Sequence, residues 1–370
     1  MEHKTVLIVG AGITRASHKP SLRIPDLPPP LDRDFFRITS KLHSTDYREF
    51  VSNLKRVYWH DFDNLLSSLE LTFSTIWEKA IEIPDWRGSQ KNPHSDLAIK
   101  LVELIRRVLA QTSNEMDVSE NSEIYRLFRG EIFFGDLTII TFNYDLLIEC
   151  VLDRIASDFK VQYPHLSTVF CYPGCYRLTK MIGSFPGHQS HEFESDKPFV
   201  NESKDHKGVE LLKLHGSLNW AHLVLEEDDM RQRVTGRGFG GVYVVNSKNI
   251  LWNLPQWINK GNLETLAPAI IPPIPKKSQF LDMAAYDGVW KLAARRLNEA
   301  TRITIAGYSF PPTDLEACNL LKDNSSNLIY INVINPDESV CERVKRVYGR
   351  KVSEQFYSIS EYVHRFSRDF

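Results

Sequence analysis

Short, strongly apolar, β-branched runs alternate with long stripes of helical period along this chain. Five runs, "TVLIVG", "LTIITF", "ELLKLHG", "RITIAG" and "LIYINVIN", are too short for helices, and each ends in Gly, Asn, His or a polar neighbour. Such runs read as parallel strands buried on both faces. In an open α/β sheet ligands sit outside the carboxyl ends of the strands, so these five ends are where chemistry is sought. Between the first two runs, Leu97, Leu101, Leu104, Ile105 and Val108 recur at helical spacing, and Phe62, Leu65, Leu66, Leu69, Phe73, Ile76 and Trp77 form a second stripe. Residues 40–130 therefore read as a helical insertion or subdomain. Residues 151–208, rich in charge, Gly and Pro, read as a long polar excursion or lid over the sheet edge. The stretch "LAPAIIPPIPKK" reads as an extended proline-rich connection, and "YDGVWKLAARRLNEA" as an amphipathic helix. The fold class that follows is α/β, a Rossmann-like, mostly parallel sheet.

Composition narrows this little further. The chain has 370 residues, 42% hydrophobic and 25% charged, and Lys plus Arg (45) nearly balance Asp plus Glu (47). That is ordinary globular composition without the basic footprint of a nucleic-acid binder, so no direct nucleic-acid binding is expected. No run approaches the 18 apolar residues of a membrane span, and the first apolar run is too short for a signal-peptide core. Five cysteines fit a reducing cytoplasm better than a disulfide framework.

The strand ends supply the candidate chemistry. After the first comes Gly10-Ala11-Gly12, a turn suited to phosphate, with the Gly12 and Ile13 amides as a possible cradle. A dehydrogenase fingerprint needs a small residue three positions after Gly12, but Arg15 stands there. Pro20, Pro25, Pro28, Pro29 and Pro30 then put a loop where a long helix should run. Asn143 and Asp145 follow the second strand and share a face if the strand persists; either is also an ordinary helix cap. His215, after the third, is suited to taking a proton near neutral pH, although a lone His there is often only a hydrogen-bonded core residue. Gly307, Ser309 and Asn335 can meet a phosphate, ribose or adenine, or serve as turn residues. In "WHDFD", His60, Asp61 and Asp63 do not have convergent metal-ligand spacing and read as a helix start.

The order "GAGIT", "FNYD", "KLHGSLNW", "GYSF", "INP" resembles the successive cofactor-binding motifs of the sirtuin family, spread over nearly the whole chain. The details, including "PPLDRDFF" and "GYSFPPTD", are most similar to bacterial sirtuin-like NAD hydrolases of antiphage defence. The resemblance implies one NAD-binding domain over residues 1–370, with Asn143 and His215 catalytic. Asp145 would stand near the nicotinamide, and Gly10, Ala11, Gly12, Thr14, Gly307, Ser309 and Asn335 around the pyrophosphate and adenosine. The proline-rich segment would be the cofactor loop, closing over NAD and poorly ordered without it.

Protein-deacylating sirtuins hold zinc with two Cys-x-x-Cys pairs, whereas this chain offers only Cys171 and Cys175, spaced "CYPGC". The expectation is no zinc module and no metal site. Phe142 also replaces the usual sirtuin Gln before the Asn. The resemblance thus implies NAD+ as substrate, cleaved at the nicotinamide-ribose bond. An NAD or ADP-ribose sensor and an NAD-dependent protein deacylase are the alternatives. It further implies a homo-oligomer and a partner that gates activity, a HerA-type hexameric ATPase before an Argonaute.

Overall fold

A computed structural model describes residues 4–19, 27–82, 92–113, 116–133, 136–162, 170–171, 175–178, 209–225, 242–245, 256–259, 262–274, 277, 284–311 and 314–366. Their centre is a seven-stranded sheet built from β1 (Thr5–Val9), β2 (Leu137–Thr141), β3 (Phe170–Cys171), β5 (Val209–Lys213), β10 (Arg302–Ala306), β11 (Tyr330–Ile334) and β12 (Val352–Phe356). Its order is β12-β11-β10-β1-β2-β5-β3, and every pairing is parallel. All five residues of β1, β2 and β10 are buried, which is why these runs are mainly apolar without an exposed polar face. Chain order reverses direction beside β1: β2 and β5 lie on one side, β10 and β11 on the other. The crevice at such a switch is where an α/β sheet takes its ligand.

A second sheet was not legible in the sequence. It contains β4 (Cys175–Leu178), β6 (Gly216–Leu225), β7 (Val242–Val245), β8 (Gln256–Asn259) and β9 (Asn262–Ile270), ordered β4-β7-β6-β9-β8. The run "LLKLHGSLNW" therefore spans two strands in two sheets, with only Leu214 and His215 between them. The tryptophan and aliphatic residues after Gly216 are strand residues, and the first part of "LAPAIIPPIPKK" belongs to β9, paired antiparallel with β6. Their prolines and polar residues hid the pattern. Cys171 ends a strand of the first sheet and Cys175 begins one of the second.

Helices α1 (Ala11–Ala16), α2 (Phe35–Leu42), α3 (Ser44–Val57), α4 (Phe62–Leu65), α5 (Leu69–Glu82), α6 (Pro93–Ser113) and α7 (Glu123–Phe133) lie between β1 and β2. The stripe around Phe62–Trp77 is two helices, not one. It breaks before Ser68, whose hydroxyl accepts the Leu71 N–H at 3.0 Å, a local bond that competes with helix continuation. In α6 the residues Leu97, Leu101, Leu104, Ile105 and Val108 are buried as a single face. The long α8 (Leu147–Gln162) carries the chain out of the site loop, so residues 151–162 are helical and not part of a polar excursion. Residues 163–169, 172–174 and 179–208, where most of the expected lid falls, lie outside the described residues. Helices α9 (Ala284–Glu299), α10 (Leu315–Asp323), α11 (Glu338–Tyr348) and α12 (Ile359–Phe366) complete the layers. No described helix is long and apolar enough to cross a membrane.

Candidate active site at the carboxyl rim

Five adjacent strand ends form one rim, in the order His215 (β5), Asn143 (β2), Gly10 (β1), Gly307 (β10) and Asn335 (β11). At the switch, the turns after β1 and β10 interlock. Gly12 donates its N–H to the Gly307 carbonyl at 3.0 Å, and Gly10 to that of Ala306 at 3.0 Å. A Cβ on Gly10 would lie 2.4 Å from Tyr308 Cα, and Gly307 has φ of +63° with Ile13 N 2.4 Å from its would-be Cβ. Neither position admits a side chain.

This packing corrects two expectations. The Gly12 amide is bonded to Gly307, and the Ile13 amide donates to the Gly10 carbonyl at 3.1 Å, so neither serves as a phosphate cradle. A helix also follows the turn. α1 runs six residues and stops at Ser17, whose hydroxyl bonds back to the Ile13 carbonyl at 2.9 Å, close before Pro20. Of the proline-rich segment, residues 20–26 lie outside the described residues, whereas Leu27, Pro29 and Pro30 are buried. The residues after it are tied back to α1 by Arg15, whose guanidinium meets Asp34 at 2.6 Å.

Thr14, on the buried side of α1, links the candidate residues. Its hydroxyl donates to Asp145 Oδ2 at 2.8 Å and accepts from Asn143 Nδ2 at 3.0 Å. Strand β2 has ended by Thr141, so Asn143 and Asp145 converge because Thr14 and the loop turn them together, not through strand alternation. The Asn143 N–H bonds to Thr141 Oγ1, and Thr141 in turn bonds to the Val9 carbonyl, locking the loop to β1. Asp145 Oδ1 accepts the Leu147 N–H at the start of α8. Beneath it, the fully buried Lys213 donates to the Asp145 carbonyl and pairs with the fully buried Glu149 at 2.8 Å. Asp145 is thus a helix cap as well as a candidate site residue, whereas the Asn143 side chain is bonded to Thr14 instead.

His215 occupies the link between the two sheets, 7% exposed. Its carbonyl accepts the Ile271 N–H at 2.8 Å, and Phe142, Tyr144 and Trp290 surround its ring with centroids 5.1–6.4 Å away. Nε2 lies 3.8 Å from Asp314 Oδ2 and makes no hydrogen bond. Burial pushes the imidazole pKa down to about 4; Asp314 pulls it up and Lys277 pushes it down further. At neutral pH the ring is therefore uncharged and able to accept a proton. Asp314 itself receives Lys277 Nζ at 2.8 Å and Tyr308 OH at 3.2 Å. Burial opposes its charge, but the attraction of His215 and Lys277 and the two hydrogen bonds outweigh that and hold its carboxyl below the ordinary value.

On the other side of the switch the groups are more ordinary. Asn335 Oδ1 accepts the Asp337 N–H at 3.0 Å, leading into α11, and Arg343 bonds to the Ser309 carbonyl at 2.9 Å. Ala11 sits in the first turn of α1 beside Gly10. Asp314 and Lys277 were missed as candidates: the first stands in the quoted "GYSFPPTD" without a motif role, and the second is a lysine in a proline-rich segment, with no signal of its burial. Asp61 and Asp63 stand at the start of α4, and no group of three or more His, Cys, Asp or Glu among the described residues converges as metal ligands would.

A family model described as a SIR2-like domain matches residues 137–254, the span from β2 through β7 that contains Asn143, Asp145 and His215. Among solved structures, the chain is similar to a Sir2 homologue in complex with NAD, at 16% identity and a TM-score of 0.44, over 100% of this chain and 90% of that one. It is also similar to a histidine-to-asparagine variant of a Sir2 homologue bound to ADP-ribose, at 16% identity and a TM-score of 0.42, over 100% and 94%. A Sir2 variant bound to a p53 peptide and NAD aligns at 11% identity and a TM-score of 0.34, over 99% and 92%. No curated protein matches the sequence.

Proposed function

We propose that this protein is an NAD+ hydrolase that cleaves the nicotinamide-ribose bond. The carrying observation is the rim itself: an uncharged, desolvated His215 and a Thr14-held Asn143 stand on adjacent strands, next to the glycine turn at the chain-reversal point. The match to a SIR2-like domain over the part that contains both residues supports the same reading. An extended dinucleotide fits such a row of strand ends, with its phosphates near Gly10 and Gly307 and its reacting ribose toward Asn143 and His215.

The chemistry asks little of an acid. When the bond from ribose C1′ to the pyridine nitrogen breaks, its electron pair neutralises the positive ring and nicotinamide leaves unprotonated. A water oxygen bonds to C1′ and sheds one proton, giving ADP-ribose. The transition state is oxocarbenium-like, as in glycoside hydrolysis. Asn143 orients the ribose or the water, and His215 takes the proton. Asp145 holds Thr14, and through it Asn143, in place. NAD+ depletion by such an enzyme fits a role in antiphage defence, gated by assembly or by an ATPase partner.

The test is nicotinamide release from NAD+ without any peptide, measured with the protein alone and after assembly with a gating partner. His215→Ala and Asn143→Ala should each cut turnover by about 10²–10⁴-fold with the fold intact. Near-normal turnover in either variant overturns the catalytic assignment of that residue; strict dependence on an acylated peptide replaces hydrolysis with deacylation.

A further inference from the structure

Three groups that the proposed reaction does not use form a buried chain behind the imidazole. Asp314, at the start of α10, is 6% exposed and Lys277, in the segment after β9, is 3% exposed. Both are charged residues placed in the core, and burial of charge is costly unless it is paired and hydrogen-bonded. Asp314 Oδ1 is bonded to Lys277 Nζ at 2.8 Å, and Oδ2 is approached by Tyr308 OH at 3.2 Å and by His215 Nε2 at 3.8 Å. The Lys277 backbone N–H is anchored on Glu316 Oε1 at 2.9 Å, which fixes the lysine against α10. A buried pair serving only the fold does not need one carboxylate oxygen turned to a histidine.

We infer that Asp314 is a positioning residue for His215: its carboxylate, pinned by Lys277 and Tyr308, faces Nε2 and holds the imidazole in the tautomer that carries its proton there. That leaves Nδ1, which has no hydrogen bond among the described residues, as the unprotonated nitrogen able to accept a proton. A carboxylate behind a histidine base sets the tautomer and stabilises the imidazolium once it forms. Lys277 is its counterweight. Its charge offsets part of the pull of Asp314 on the proton and adds to the burial that keeps the resting imidazole uncharged, so the carboxylate faces the ring without protonating it. Among the described residues, the other titratable group against the ring is Tyr144, whose hydroxyl bonds to the Ile271 carbonyl at 2.6 Å and whose pKa burial raises, so it stays neutral; Phe142 and Trp290 carry no charge.

The inference rests on His215 as the base of the proposed reaction, but its decisive measurement needs no substrate. Nitrogen-15 shifts of the His215 ring, assigned by difference from His215→Gln, report tautomer and titration directly. In the wild type the Nε2–H form is expected. In Lys277→Met the imidazole should titrate at higher pH, and in Asp314→Asn the Nε2–H preference should weaken. The double variant Lys277→Met/Asp314→Asn removes both buried charges together and serves where the single Asp314 change unfolds the chain. An Nδ1–H tautomer in the wild type, or the same tautomer and titration in the wild type and the double variant, overturns the inference. In the hydrolysis assay Asp314→Asn should lower kcat about 10²-fold or more with little change in KM, since the carboxylate acts on the base and not on binding. Full kcat in the folded double variant also overturns it. Turnover surviving in His215→Ala would instead sink His215 as the base of the proposed reaction, leaving the ring measurement to decide whether Asp314 sets the tautomer.

Discussion

At the scale of single residues, the rim is governed by what each side chain can reach. His215 is kept neutral by burial, with a pKa near 4 against about 6.5 for a free imidazole. Because the folded pKa lies below the unfolded one, the unfolded chain binds the extra proton, so this stabilisation is complete above about pH 6.5 and is lost as pH falls toward 4. The loss is of the order of 3 kcal/mol. Urea unfolding at pH 7 and pH 4.5 should show a smaller stability difference in His215→Phe than in the wild type; equal differences would mean the imidazole is not desolvated. Gly10 gives a second prediction at this scale. A methyl there meets Tyr308 Cα at 2.4 Å, so Gly10→Ala must push the β1 and β10 turns apart. It should cost about 1–3 kcal/mol, as overpacking does, and abolish nucleotide binding measured by calorimetry.

At the scale of elements, the site loop between β2 and α8 is held from below by the Lys213–Glu149 pair, both residues fully buried. Lys213→Met removes the buried cation that pairs with Glu149 and should destabilise by about 3–5 kcal/mol, whereas Lys213→Met/Glu149→Gln should recover much of it. Urea midpoints of the two variants compare them. The same elements show what the sequence could carry. β1, β2, β5, β10 and β11 were legible because burial on both faces leaves a short, mainly apolar and β-branched run, a signal that survives without any knowledge of neighbours and tolerates the few polar residues in it. The second sheet was not, because β6 and β9 mix Asn, His, Pro and Glu with apolar residues, and only their mutual pairing makes them strands. Helix α1 was hidden for the opposite reason: the prolines that end it were visible, but the six residues before them were enough for one short helix. Asn143 and His215 were legible through the motif order, since their types and strand-end positions are written in the sequence. Their second partners were not. Thr14 lies 129 positions from Asn143, and Asp314 is brought to His215 from the far side of β10, so neither contact leaves a local trace.

At the scale of the whole molecule, the two sheets meet at the Leu214–His215 link, and the first sheet is closed by pairing the beginning of the chain with its last third. Residues Thr5–Val9 lie directly against Arg302–Ala306. So non-local a topology predicts slow folding, with refolding from urea extending to seconds rather than milliseconds; Gly12 and Gly307 amides should be among the last protected in pulsed hydrogen exchange. The interlock of those glycines also has a meaning for synthesis on the ribosome. At about 5–20 residues per second, the turn after β1 waits roughly 15–60 s for its counterpart to be made. Until then Gly10 and Gly12 have no partner and Asp314 has not reached the imidazole. The rim proposed as the site is therefore unassembled in the nascent chain until the residues through Asp314 have been made.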